Sequence, residues 1–171
     1  MRGENGSGKT TLLRTLCGLS QPAAGEIHWN SRRVQELPEE YRAQICYIGH
    51  GNAIHGDLTP VENLQFEACL GTEVQIEAKP ALESQGLGRV AGLSAKLLSQ
   101  GQKRRVALAR LSVLERKLWV LDEPFTALDV RAVDRLLATL ARHLDTGGLC
   151  ILTSHQEVSV MDMQVRTLTL T

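Results

Sequence analysis

The sequence predicts an α/β chain: a mainly parallel sheet flanked by helices, with a small helical subdomain inserted between strands. Three observations carry that expectation. Gly3 to Thr10 reads GENGSGKT and fills the phosphate-loop pattern GxxxxGK[ST] at every fixed position, continuing through Thr11 into an apolar helix. Two compact apolar runs, Ile45 to Ile48 and Leu118 to Leu121, have the composition of strands buried on both faces. Between and after them lie helices with recognisable starts, at Thr59, Ser99 and Asp129.

The phosphate loop has a physical reading residue by residue. Backbone N–H groups must reach phosphate oxygens where a Cβ would obstruct them, and Gly3, Gly6 and Gly8 remove that obstruction. The following helix aims its positive N-terminal end at the same anion, Lys9 adds a mobile ammonium, and the Thr10 hydroxyl can ligate magnesium. The expected ligand is a nucleoside triphosphate with magnesium. Taken alone, the match competes with a chance glycine-rich turn before a helix. Such a loop normally follows a buried strand, and only Met1 and Arg2 precede it here, so the N-terminal strands are expected to be missing.

Composition narrows the classes. With 171 residues, 43% apolar and 22% charged, the chain is of one-domain size and can bury a sizeable core. Lys plus Arg equals Asp plus Glu at 19 each, and aromatic residues are 4% of the chain. Neither value favours a nucleic-acid partner. No run approaches the ~20 apolar residues of a membrane span, and the polar start is unlike a signal peptide, so a cytosolic location is expected. Cys17, Cys46, Cys69 and Cys150 show no CxxC pair and no zinc-like spacing to His. They read as small buried hydrophobes in a reducing compartment.

Taken in order, a helix is expected from Thr10 to Cys17, stopped by Gly18, then a short strand from Glu26 to Trp29 turned by Asn30 and Ser31. The strand Ile45 to Ile48 opens into a loop, Gly49 to Asp57, containing His50 and His55; without carboxylate or thiol company these suit solvent or backbone better than a metal or haem. Thr59, Pro60 and Glu62 form a capping box for a helix to about Leu70. A weaker stripe from Gln75 to Gln85, with Val74, Ala78 and Leu82, stops at Gly86 and Gly88. Ser99 and Gln102 repeat the box and open a helix through Arg110 to Leu114, whose N-terminus is a second anion site. The plainer expectation for that helix places Lys103, Arg104, Arg105 and Arg110 on a solvent face.

The run LWVLDEP delivers Asp122 and Glu123 at the carboxyl end of a buried strand, with Trp119 in the core. Two adjacent acids there cost desolvation energy unless positive charge is near, and magnesium on a triphosphate would provide it. Asp122 would then hold the metal through its water shell, and Glu123 would polarise an attacking water. Asp129 caps a helix from Val130 to about Leu144 with the stripe Val133, Leu136, Leu137, Leu140 and Leu144, ended by Gly147 and Gly148. A strand from Cys150 to Thr153 is followed by His155 on the ligand side of the sheet, and Val165 to Leu170 alternates like a strand.

In that order GENGSGKT, LSQGQ, LWVLDEP, TALD and LTSHQ resemble the nucleotide-binding domain of ATP-binding cassette (ABC) transporters over essentially the whole chain. The resemblance implies a single ABC-type ATP-binding domain of P-loop NTPase fold over residues 1–171, with its helical subdomain at about 59–115. It implies that Gly3, Glu4, Asn5, Gly6, Ser7, Gly8, Lys9, Thr10 and Thr11 hold ATP, that Thr10 and Asp122 hold Mg2+, and that Glu123 is the catalytic acid and His155 the switch histidine at the γ-phosphate. Ser99, Gly101 and Gln102 of the signature motif, with Asp129 of TALD, belong in such a protein to a head-to-tail homodimer that closes on ATP and opens after hydrolysis, moving integral membrane permease subunits.

The finer wording of ICYIGHGNAIHGDLTPVENLQF, QKRRVALARL, LWVLDEPFTALD and ILTSHQ is similar to the haem exporter ATPase of bacterial cytochrome c maturation, which is peripheral on the cytoplasmic face of the inner membrane. His50 stands where the loop toward the membrane subunit usually has Gln, and is carried as a binding residue; Gln100 replaces the usual signature glycine. That family also has, before the point where this chain starts, a strand bearing an aromatic that stacks on adenine. Other readings stay open: the ATPase of another ABC transporter, a non-transport ABC protein acting on DNA or ribosomes, or a catalytically impaired nucleotide-binding remnant. The second usually carries a long coiled coil or two cassettes, and Glu123 and His155 speak against the third.

Overall fold

The computed structural model describes residues 1–4, 6–71, 76–154 and 165–170. Its strands and α-helices run β1 (Arg2–Gly3), α1 (Lys9–Leu16), β2 (His28–Trp29), β3 (Arg32–Arg33), α2 (Pro38–Arg42), β4 (Ile45–Ile48), α3 (Pro60–Gly71), α4 (Ala78–Ser84), α5 (Gln100–Val113), β5 (Leu118–Leu121), α6 (Val130–Asp145), β6 (Leu149–Leu152) and β7 (Thr169–Leu170).

Unbroken apolar strands need cover on both faces, which a parallel sheet with helices on each side provides. β4, β5 and β6 form that sheet, in that order and all parallel. Ile48 lies level with Leu121, and Leu121 with Leu152, so the chain leaves the sheet side by side at Gly49, Asp122 and Thr153. β1 pairs in parallel with β7, Arg2 opposite Thr169 and Gly3 opposite Leu170, and so leads into the phosphate loop. β2 and β3 make an antiparallel hairpin whose turn residues Asn30 and Ser31 have φ of 50° and 64°, the left-handed pair that matches strand twist.

Strand alternation divides the core. Cys46, Ile48, Trp119 and Leu121 pack against Ala107, Leu108 and Leu111 of α5 and Leu136 and Leu140 of α6. On the opposite face Leu118 and Val120 meet Leu13 and Cys17 at α1, with Val34, Leu37 and Tyr41. A third cluster joins Leu64 of α3 and Leu82 of α4 to Val106 and Ala109 of α5. α5 is therefore covered on two sides, by the sheet and by α3 and α4. Each large apolar side chain buried this way contributes roughly 1.5–3 kcal/mol, which makes α5 the seam between two cores.

Several sequence expectations shift here. The alternation from Val165 yields a strand only at Thr169–Leu170, because β1 offers two residues to pair with. The stripe from Gln75 becomes a helix only from Ala78, and residues 72–75 lie outside the described residues. Cys17 and Cys46 are buried, and burial pushes their thiols up to about 12 and about 11. Cys150 is half-buried with its thiol likewise raised to about 12, whereas Cys69 is exposed and is no core residue. No helix among the described residues is long and apolar enough to cross a membrane.

Candidate functional site

The phosphate loop closes at Gly8, whose φ of 85° lets the chain enter α1 with no side chain capping the helix. The first-turn N–H groups of a helix lack intrahelical partners, so this end presents uncapped donors to the loop. Lys9 is buried and its Nζ donates to the carbonyls of Gly3 and Glu4, each at 2.8 Å. The Ser7 hydroxyl is buried with no hydrogen-bond partner among the described residues. A buried hydroxyl without a partner is costly, and it sits in the loop where an anion would satisfy it. Thr10 and Thr11 stand exposed on the first turn of α1.

The loop is joined to the end of the sheet by a line of polar bonds. Thr10 Oγ1 donates to Oδ2 of Asp122 at 2.7 Å, and Thr153 Oγ1 donates to Oδ1 of the same carboxylate at 2.7 Å. The Thr153 oxygen in turn accepts the backbone N–H of Glu123 at 2.9 Å. Asp122 is 1% exposed and Thr153 0%. Glu123 has φ of 47°, a left-handed conformation that costs a non-glycine residue about 1–2 kcal/mol and needs outside support. A hydroxyl and a carboxylate together are hard oxygen donors of the kind magnesium takes, one or two from protein and the rest from phosphate and water. The residues present therefore fit such an ion.

The start of α5 is self-contained. Ser99 N donates to Oε1 of Gln102 at 2.8 Å and Gln102 N donates to Oγ of Ser99 at 3.2 Å, which completes the expected capping box. Among the described residues neither bonds to the phosphate loop of the same chain. Gly101 lies so close to the carbonyl of Ala127 that a Cβ would meet that oxygen at 2.7 Å, which explains glycine there by contact distance. Asp129 caps α6, its Oδ1 accepting from Ala132 N at 2.8 Å. His50 is exposed, on the loop leaving β4. His55 packs edge-on against Phe66 with ring centroids 5.0 Å apart, and its backbone N–H is held by Oδ1 of Asn63 at 2.8 Å. Asn5 and His155 lie outside the described residues.

The solvent face expected for the arginines of α5 is corrected by the structure. Arg104 is 3% exposed and Arg110 5%, because α5 is covered on both sides and its basic side chains turn inward to acceptors. Arg110 pairs with Glu67 at 2.8 Å, and Arg105 donates to the Gln85 carbonyl at 3.0 Å. Arg104 reaches both site loops, donating to Gly49 O at 2.9 Å and to Glu123 O at 2.8 Å. Thr153, Arg104 and Asn63 carry no mark of a site-shaping role in the sequence. The only signal available was position: Thr153 ends a strand beside the acids, and Asn63 follows the capping box.

Residues 1–126 match the ABC transporter family. The chain is 51% identical over 172 residues to the cytochrome c biogenesis ATP-binding export protein CcmA of Dechloromonas aromatica, with 99% of this chain and 84% of that protein covered. It is similar to a solved ATP binding subunit of an ABC transporter, with a TM-score of 0.78, 31% identity, and coverage of 90% of this chain and 65% of that one. A second solved structure, described as a dimeric bacterial ABC transporter cassette, gives a TM-score of 0.78 at 25% identity, covering 91% of this chain and 73% of its own.

Proposed function

Because the chain belongs to the ABC transporter family, we propose that it is the ATP-binding and ATP-hydrolysing subunit of a membrane exporter, and that the exporter carries haem for c-type cytochrome biogenesis. The observation that supports the chemistry best is the bonded line from Thr10 through Asp122 and Thr153 to Glu123, which links the phosphate loop to two acids at the carboxyl end of the central strand. The cargo is supported by the cytochrome c biogenesis export proteins that the chain is similar to.

In this reading the loop from Gly3 to Thr11, Asn5 included, wraps the phosphates of ATP with backbone N–H groups, and Lys9 exchanges its two carbonyl acceptors for phosphate oxygens. Thr10 and Asp122 would hold Mg2+, which neutralises charge on the phosphates when bound. Glu123 accepts the proton of the attacking water, a role worth roughly 10²–10⁴ in rate. His155 has the role of the switch histidine for the γ-phosphate, and His50, on the loop after β4, hydrogen-bonds a water or magnesium ligand. Ser99, Gly101 and Gln102, with Asp129, close on ATP held by a second copy in a head-to-tail homodimer. Loss of the bridging γ-phosphate then removes the anion at the N-terminus of α5 and lets the dimer open. Integral permease subunits at the cytoplasmic face of the inner membrane carry that motion to the cargo.

The test is magnesium-dependent phosphate release from ATP by the purified chain, compared with Glu123→Gln, together with co-purification of membrane subunits and haem. Loss of turnover with ATP binding intact supports the reading. Undiminished turnover in Glu123→Gln removes Glu123 from the role of base, and co-purification with a permease for another solute redirects the cargo.

A further inference from the structure

Arg104 sits on the second turn of α5, and its guanidinium carries five N–H donors in a rigid planar fork. Every donor is used. Nε donates to Pro124 O at 3.3 Å; one terminal nitrogen donates to Gly49 O at 2.9 Å and Asn52 Oδ1 at 3.3 Å; the other donates to Asp122 O and Glu123 O, both at 2.8 Å. The acceptors belong to two loops, one leaving β4 and carrying His50, the other leaving β5 and carrying Glu123.

Packing alone does not account for this residue. An apolar side chain of similar length would fill the space without the several kcal/mol that burying a cation costs. What the guanidinium supplies instead is a bridge of fixed geometry. The Glu123 backbone is held on both sides, its N–H by Thr153 and its carbonyl by Arg104, and this is the support that its left-handed φ of 47° requires.

We propose that Arg104 is a positioning residue that couples the loop bearing His50 to the conformation of Glu123, so that the acid is aimed at its water when the Gly49–Asn52 loop is docked on the same guanidinium. This rests on Glu123 as the general base. Arg104 itself does not touch the reacting atoms; it acts through a backbone carbonyl.

The experiment compares wild type, Arg104→Lys, Arg104→Gln and Asn52→Ala, each also in a Glu123→Gln background. ATP affinity, kcat, thermal stability and amide hydrogen exchange over residues 49–52 and 122–126 are measured on the full chain. Lysine keeps the charge but not the fork, so Arg104→Lys is expected to lose about 10- to 100-fold in kcat, the scale of a misplacement near 1 Å, with ATP affinity within about 3-fold. In the Glu123→Gln background the same change should alter the residual rate less than about 2-fold, because the route through Glu123 is already cut. Amides in both segments should exchange faster together.

An equal loss of kcat in both backgrounds, a loss of affinity alone, or loosening of one segment without the other overturns the proposal. Should the arginine variants fail to fold, Asn52→Ala removes one acceptor and leaves four donors engaged; unchanged exchange over 122–126 in that variant also overturns it. Failure of the wild type to bind or hydrolyse ATP falls on the functional reading instead. The exchange data still decide whether the two loops are coupled.

Discussion

The Thr153 hydroxyl donates to Oδ1 of Asp122 at 2.7 Å while accepting the Glu123 amide at 2.9 Å, so a single buried oxygen fixes both acids. Thr153→Val keeps the volume and removes that oxygen, leaving a carboxylate oxygen and an N–H short of a partner. The variant should be less stable by about 1–3 kcal/mol in urea unfolding and should hydrolyse ATP more slowly, with Thr153→Ser restoring most of both. Equal stability of Thr153→Val and wild type would undo this account.

Glu123→Gln is close to isosteric and leaves the backbone bonds of residue 123 in place. Turnover should fall by roughly 10²–10⁴ while ATP affinity is retained. With ATP present, the variant should elute as a dimer in size-exclusion chromatography and remain so, since the bridging phosphate is not removed. A monomer under saturating ATP would count against closure on a second copy.

Lys9→Ala removes an ammonium held 2.8 Å from two loop carbonyls. A hydrogen bond to a charged group is worth about 1.5–3 kcal/mol, so titration with a fluorescent ATP analogue should show affinity weakened by about 10- to 150-fold. Unchanged affinity is incompatible with a phosphate-binding role for this loop.

His143 stacks on Trp119 with ring centroids 3.7 Å apart and planes 2° from parallel. Burial pulls its pKa below the ordinary 6.5, against a smaller opposing effect of its bond to Leu149 O. The fold thus favours the neutral ring, and below pH 6.5 the unfolded chain binds the proton more readily than the folded one. The contribution is fully present above that pH and is lost as the pH falls through the lowered folded value. His143→Phe keeps a stacking ring that does not titrate, so its melting temperature relative to wild type should rise between pH 7 and pH 5. A constant difference across that range would show that the ring does not titrate in the folded state as described.

Local signals were legible in the sequence and tertiary ones were not. Ile45–Ile48 and Leu118–Leu121 are strands at the residues expected, because unbroken apolar runs of that length leave few alternatives. Both capping boxes form, at Thr59 with Glu62 and at Ser99 with Gln102, because their partners lie three residues apart. Arg104 is buried where the sequence suggests a solvent face, for the opposite reason. Four of its five acceptors are backbone carbonyls, up to 55 residues away, and a carbonyl carries no sequence mark. In the sequence Thr153 likewise only closes an apolar strand, and its tie to Asp122 follows from the order of the sheet.

That order also makes the site a matter of counting. Ile48, Leu121 and Leu152 share one level in neighbouring strands, and Asp122 and Thr153 are the next step up from it. Inserting or deleting one residue within β5 would turn the following side chain to the opposite face and take Asp122 out of line with Thr10 and Thr153, and the same change within β6 would take Thr153 away from Asp122. The loops can absorb changes of length and the strands cannot. The sheet works as a ruler, and natural length variation in proteins of this kind should stop at its graduations.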